Sequence, residues 1–178
     1  IMSALVTPLN SAGRVHVPAV HELIEFQLAA GIDGFYLCGG TGEGVSLDTK
    51  NRMQLVETVV AANRGRGKII VHTGAINPWD AFALAEHAKT CGADGVSSVP
   101  PSIYYSYTEA DVVAYYRRLA ESAGLPLLVY RPPSFSGDGI VRLIEKLMAV
   151  ENIVGLKYTG SSYFEMWRLL QINDGNIN

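Results

Sequence analysis

The chain has 178 residues, 48% of them hydrophobic, and a formal net charge of -3 at pH 7 with no strongly basic stretch. That length suffices for one domain with a sizeable core, and the charge argues against a nucleic-acid surface. No apolar run reaches membrane-spanning length, and the N-terminus lacks a charged start followed by an apolar block, so neither a membrane span nor a secretory signal is read.

The first strand-like run is Ala4–Val6. After it, Val20, Leu23, Ile24 and Leu28 form a stripe at helical spacing. Gly31-Ile32-Asp33-Gly34 closes that helix and opens the strand Gly34–Leu37. A glycine-rich turn follows, Cys38-Gly39-Gly40-Thr41-Gly42-Glu43-Gly44. The next strand-like run is Lys68–His72. The helix behind it is well punctuated: Asn77 can cap, Pro78 suits the first helical position, and Gly92 suits the end. Leu84, Ala85 and Ala88 make part of its apolar stripe. Gly92-Ala93-Asp94-Gly95 then repeats the earlier helix-to-strand junction and starts the run Gly95–Val99. Thr108 with Asp111 predicts a capping box, with Asp in place of the usual Glu. Leu127–Tyr130 and Ile153–Leu156 are the last two runs.

Alternating helices and buried strands predict a parallel sheet covered by helices. Both a (β/α)8 barrel and an open doubly wound sheet fit that pattern. Six strands are visible, whereas a closed barrel needs eight and typically runs to about 250 residues. Residues 1–178 therefore read as one domain, incomplete on its C-terminal side, with no linker or internal boundary.

Three features fall at the C-terminal ends of strands, the active face of either architecture. The glycine-rich turn exposes backbone N–H groups that can hold an anion, and Thr41 adds a hydroxyl. Tight strand-to-helix geometry alone would also call for glycines there. The spacing is not GxGxxG and no Gly-Lys-Ser/Thr follows, so a small carboxylate suits it better than a dinucleotide or nucleoside triphosphate. Glu43 reads as structural, bonding nearby backbone. Tyr130 ends the fifth run; it is either a proton-moving phenol or rim packing. Arg131 beside it reads as solvated or salt-bridged rather than anion-binding. Lys157 ends the sixth run. A buried lysine is costly unless its charge is paired or its pKa falls. It is either a snorkelling strand-end residue or a desolvated amine able to form a Schiff base with a carbonyl. Together, a nest for a carboxylate, an amine for a keto carbon and a phenol to move protons suit a 2-oxo acid.

At these residues the chain resembles the dihydrodipicolinate synthase/N-acetylneuraminate lyase family of Schiff-base aldolases. The resemblance runs through Leu5-Val6-Thr7-Pro8, Gly40-Thr41-Gly42-Glu43, the segment of Tyr130, Pro133, Ser136 and Gly137, and Gly155-Leu156-Lys157. It implies an α/β fold, a (β/α)8 TIM barrel of which this chain supplies the first six βα units, and usually a homotetramer. It also implies Lys157 as Schiff-base lysine, Tyr130 as proton relay, and Gly40 and Thr41 at the carboxylate of pyruvate. Where this chain has Gly40 the family usually has Ser or Thr, whose hydroxyl joins the relay. The tyrosine given to a neighbouring subunit aligns near Ile103 or Tyr104. Tyr105 and Tyr107 stand in the same loop and can equally be packing or interface residues. Phe135 replaces an arginine of the synthase branch and argues against it. Lys157-Tyr158-Thr159 with Tyr163-Phe164-Glu165-Met166 looks more like the N-acetylneuraminate lyase branch.

No metal or organic cofactor is called for, since a protonated imine serves as the electron sink. His16, His21, His72 and His87 form no HExxH-type set, and Cys38 and Cys91 have no metal-ligand spacing. Two cysteines read as reduced thiols of a cytoplasmic protein. The leading expectation is a pyruvate-dependent lyase cleaving a 2-oxo sugar acid of the N-acetylneuraminate kind. A 2-keto-3-deoxy sugar acid aldolase or dehydratase, or a dihydrodipicolinate synthase-like enzyme, is the alternative. A non-catalytic truncated fragment is the reading of another class.

Overall fold

The computed structural model describes residues 1–101, 106–131, 135–175 and 177. Six parallel strands run in chain order: β1 (Met2–Ala4), β2 (Gly34–Leu37), β3 (Lys68–His72), β4 (Gly95–Ser98), β5 (Leu127–Tyr130) and β6 (Ile153–Lys157). The helices α1 (Val17–Ala29), α2 (Thr49–Asn63), α3 (Pro78–Cys91), α4 (Glu109–Ala123), α5 (Gly137–Met148) and α6 (Tyr163–Leu170) each follow one strand. This is six βα units of a TIM-type barrel, with all pairs parallel.

The caps explain where the helices begin. Asn77 accepts the N–H of Trp79 at 3.2 Å and Pro78 opens α3. Thr108 and Asp111 form the reciprocal capping box of α4. The repeated junction is one motif used twice. Gly31 and Gly92 both adopt positive φ, 84° and 85°. The next residue in each, Ile32 or Ala93, donates its N–H five residues back, to Gln27 O or Ala88 O. That is the Schellman pattern, and it turns a helix end directly into a strand.

The first strand differs from expectation. It spans Met2–Ala4 rather than Ala4–Val6. Leu5 N still reaches Tyr36 O at 3.1 Å, but Val6 leaves the ladder and is half exposed. Thr7 is drawn away because its hydroxyl donates to Gly42 O at 2.7 Å. An apolar triplet was therefore a poor guide to a strand that ends in a turn contact.

Strand residues alternate between two surroundings, as the two-residue period requires. Phe35, Leu37, Val71, Val96 and Val129 face the helices and join one core with Val20, Ile24, Leu55, Val59, Leu119, Ile140 and Ile144. Tyr36, His72, Tyr130 and Lys157 take the other face, where their rings and the amine meet. From the helical side, Tyr116 donates to Ser98 O at 2.6 Å and the buried Arg52 donates to His72 O and Gly74 O at 2.6 and 3.0 Å. These bonds fix the C-terminal ends of β3 and β4. No helix among the described residues is long and apolar enough to cross a membrane.

Candidate active site

Lys157 is the last residue of β6 and sits opposite Tyr130, the last residue of β5. Arg131 N donates to Lys157 O at 3.0 Å, which keeps the two strand ends in register. The Lys157 Nζ lies 3.8 Å from the centroid of the Tyr130 ring and 5.1 Å from that of Tyr36. The sheet thus brings together the amine and the phenol singled out in the sequence. Both side chains are half-buried.

The glycine-rich turn closes on itself behind β2. Glu43 N donates to Gly40 O and Gly44 N to Gly39 O, each at 3.1 Å. Cys38 and Glu43 take left-handed backbone, with φ of 56° and 53°. Gly44 cannot be replaced, because a Cβ there would lie 1.8 Å from Cys38 O. The N–H groups of Gly40, Thr41 and Gly42 make no hydrogen bond within the described residues, nor does the Thr41 hydroxyl. Gly40 and Thr41 are exposed. Three consecutive unspent donors and a hydroxyl are groups able to hold an anion. Glu43 is structural through its backbone only; its carboxylate is exposed and makes no hydrogen bond among the described residues.

Two residues at the site were not singled out in the sequence. His72 lies between the tyrosines, with ring centroids 6.4 Å from Tyr36 and 5.8 Å from Tyr130. Its Nε2 accepts the N–H of Val99 at 3.3 Å, so that nitrogen carries a lone pair. Its Nδ1 therefore bears the proton and donates to Cys38 O at 3.1 Å. Burial, aided by the Arg52 charge, pushes His72 down to about 3. Held neutral between these partners, it is a strut that pins the start of the glycine turn. Tyr36 is the second. Its hydroxyl and that of Ser97 are both buried without a hydrogen-bond partner among the described residues. Burial raises the Tyr36 phenol well above its ordinary value. A polar residue inside an apolar strand run was the available signal for both.

Arg131 is salt-bridged. Its Nε donates to Glu165 Oε1 at 2.9 Å, and its guanidinium lies 5.7 Å from the Tyr158 ring centroid. Glu165 also accepts from Gly137 N at 2.9 Å and from Tyr158 Oη at 3.1 Å. Phe135 is half-buried against the core. Tyr107 is half-buried there too, whereas Ile103, Tyr104, Tyr105, Pro132, Pro133 and Ser134 lie outside the described residues. Cys38 is buried, Cys91 partly so, and both are free.

The profile of the Dihydrodipicolinate synthetase family matches residues 1–177. An N-acetylneuraminate lyase of Rhizobium meliloti is 38% identical over 170 residues, covering 95% of this chain and 56% of that one. A 4-hydroxy-tetrahydrodipicolinate synthase of Syntrophus aciditrophicus is 36% identical over 177 residues, covering 98% and 60%. The solved Proteus mirabilis N-acetylneuraminate lyase superposes with a TM-score of 0.92 at 28% identity, covering 99% of this chain and 61% of that one. The chain thus spans less than two thirds of the length of each of these three proteins.

Proposed function

From the premise that this chain belongs to the dihydrodipicolinate synthetase family, we propose that it carries the Schiff-base half of a pyruvate-dependent lyase acting on a 2-oxo sugar acid of the N-acetylneuraminate kind. The observation that carries this reading is the Lys157 amine 3.8 Å from the Tyr130 ring at the ends of two paired strands.

The chemistry runs as follows. The free amine of Lys157 adds to the keto carbon, water leaves, and a protonated imine remains. The substrate carboxylate lies on the N–H groups of Gly40, Thr41 and Gly42. Tyr130 passes its phenolic proton to the relay water as it takes the proton from the hydroxyl beside the breaking carbon–carbon bond, and that water later returns a proton to the enamine. The bond's electron pair flows into the imine, giving an enamine and releasing an aldehyde. The enamine takes a proton at carbon, and water hydrolyses the imine to free pyruvate and Lys157. Gly40 supplies no hydroxyl to the relay, so a water takes that position.

Two observations favour a lyase over a synthase for a dicarboxylic substrate. Phe135 is apolar, and the neighbouring cation Arg131 is already paired with Glu165. Neither can hold a second carboxylate. The runner-up is an aldolase or dehydratase for a 2-keto-3-deoxy sugar acid, which needs the same amine and phenol.

The test is borohydride trapping on the complete protein. Pyruvate with borohydride is expected to leave a reduced pyruvyl group on Lys157, and Lys157→Ala to abolish it. Tyr130→Phe should retain trapping but slow cleavage by about 10²–10⁴-fold. Label on another residue, or full turnover by Tyr130→Phe, would refute these roles. Release of pyruvate from N-acetylneuraminate, compared with 2-keto-3-deoxy sugar acids, separates the two substrates.

A further inference from the structure

A second cluster of donor atoms lies in the outer helical layer, away from the strand ends that hold Lys157. His87 and Cys91 are four residues apart on α3 and so share one face. Glu57 reaches them from the neighbouring α2. His87 Nε2 lies 2.9 Å from Glu57 Oε1 and 3.5 Å from Cys91 Sγ. The donor atoms of all three lie within 4.8 Å of one another. The imidazole is 18% exposed and the carboxylate 61%. Two donors are therefore held by packing, and the third approaches from a side open to water.

We propose that Glu57, His87 and Cys91 form a binding site for a zinc-class divalent transition metal, clipping α2 to α3, with water in the fourth position. The donor set is one thiolate, one imidazole and one carboxylate, each an ordinary ligand of tetrahedral zinc. Bond lengths near 2.0 Å to nitrogen and oxygen and 2.3 Å to sulfur place N and S about 3.6 Å apart and N and O about 3.3 Å apart. The observed 3.5 Å is close to the first of these, and the 2.9 Å requires a small retreat of the exposed Glu57. The sulfur is nearly as close to Nδ1, at 3.7 Å, so loading also turns the thiol or the ring. The open side gives room for that turn. Calcium and magnesium are excluded by the donors, because those ions take six or more oxygens. The site needs nothing from the chemistry assigned to Lys157.

Cobalt(II) is the probe, added to the intact protein with its thiols reduced. The expected result is a thiolate-to-cobalt charge-transfer band in the near ultraviolet, with tetrahedral visible bands, displaced by zinc. Zinc should raise the melting temperature, since it binds the folded chain. Cys91→Ser should abolish the band. Glu57→Gln should keep it but weaken cobalt binding by about tenfold or more, in line with the cost of losing metal-site partners. His16→Gln should change nothing. If Cys91→Ser does not fold, His87→Gln is read for the same loss of tetrahedral binding. Absence of a thiolate band in the unmodified protein, an undiminished band in Cys91→Ser, or full affinity in Glu57→Gln would overturn the proposal. The three groups would then be an ion pair with a bystander thiol.

Discussion

Gly40 sits in open space. A Cβ built there meets nothing within 4 Å, and its φ is not positive. Its neighbour Gly44 is locked by the Cys38 carbonyl, so the two glycines serve different ends. Gly40→Ser is therefore expected to change stability by no more than about 0.5 kcal/mol, as at ordinary surface positions. If water fills the relay, the added hydroxyl should keep or raise the rate of pyruvate release. Thermal melting beside a rate assay checks both. Unchanged melting with lost pyruvate binding would sink the water relay and show that the open space belongs to a substrate group. His72 gives a pH dependence with a definite sign. Its unfolded value is about 6.5, while burial first and Arg52 second hold the folded value to about 3. Below pH 6.5 the unfolded chain binds a proton that the folded chain refuses. Stability from this residue is thus full above about 6.5 and is lost as pH falls toward 3, by up to about 1.4 kcal/mol per pH unit. Urea midpoints between pH 7.5 and 4 should fall less steeply in His72→Gln. Equal slopes would assign the proton to another group.

At the scale of elements, one carboxylate ties the end of the sheet to two helices. Glu165, on α6, holds Arg131 after β5, the N–H of Gly137 at the start of α5, and Tyr158 after β6. Burial alone would raise its pKa, but these donors together bring it below the ordinary carboxylate range. Glu165→Gln leaves the half-buried Arg131 without a counter-charge. It should cost about 1.5–3 kcal/mol, the range for hydrogen bonds to charged groups, read as a lower urea midpoint at pH 7. A loss under about 1 kcal/mol would mean that the pair behaves as a solvated one. Most of the scaffold was legible without coordinates. Strands buried on both faces leave apolar runs, and Asn77, Pro78, Gly92 and the Thr108–Asp111 pair each have a local physical meaning. The site was legible where a residue was out of place, as with Lys157 closing an apolar run. It was hidden where a residue looked ordinary. Tyr36 and His72 passed as strand filler, because their meeting depends on sheet register. Glu165 stands out in the sequence only within the run Tyr163-Phe164-Glu165-Met166, because its partners Arg131, Gly137 and Tyr158 come from three other segments. His87 and Cys91 were weighed as separate residue types, and Glu57, the third donor, stands on another helix.

At the scale of the molecule, the sheet is an arc. β1 and β6 each pair with a single strand among the described residues, and α6 presents Tyr163, Phe164, Trp167 and Leu170 to solvent. Phe164 and Trp167 stack with centroids 6.1 Å apart. Unpaired edges and a broad apolar face are templates for association. Residues 1–178 produced alone should therefore self-associate and bind a hydrophobic dye, as read by light scattering and fluorescence. A dye-silent monomer at tens of micromolar would show that the arc tolerates its own edges. Strand order carries a further consequence. Among the described residues, each strand from β2 onward pairs with the strand synthesised just before it, one βα unit away. One βα unit is the shortest separation that a parallel crossover allows, and chains emerge from the ribosome N-terminus first. The sheet can thus grow one βα unit at a time during translation, with its latest strand always the edge that receives the next.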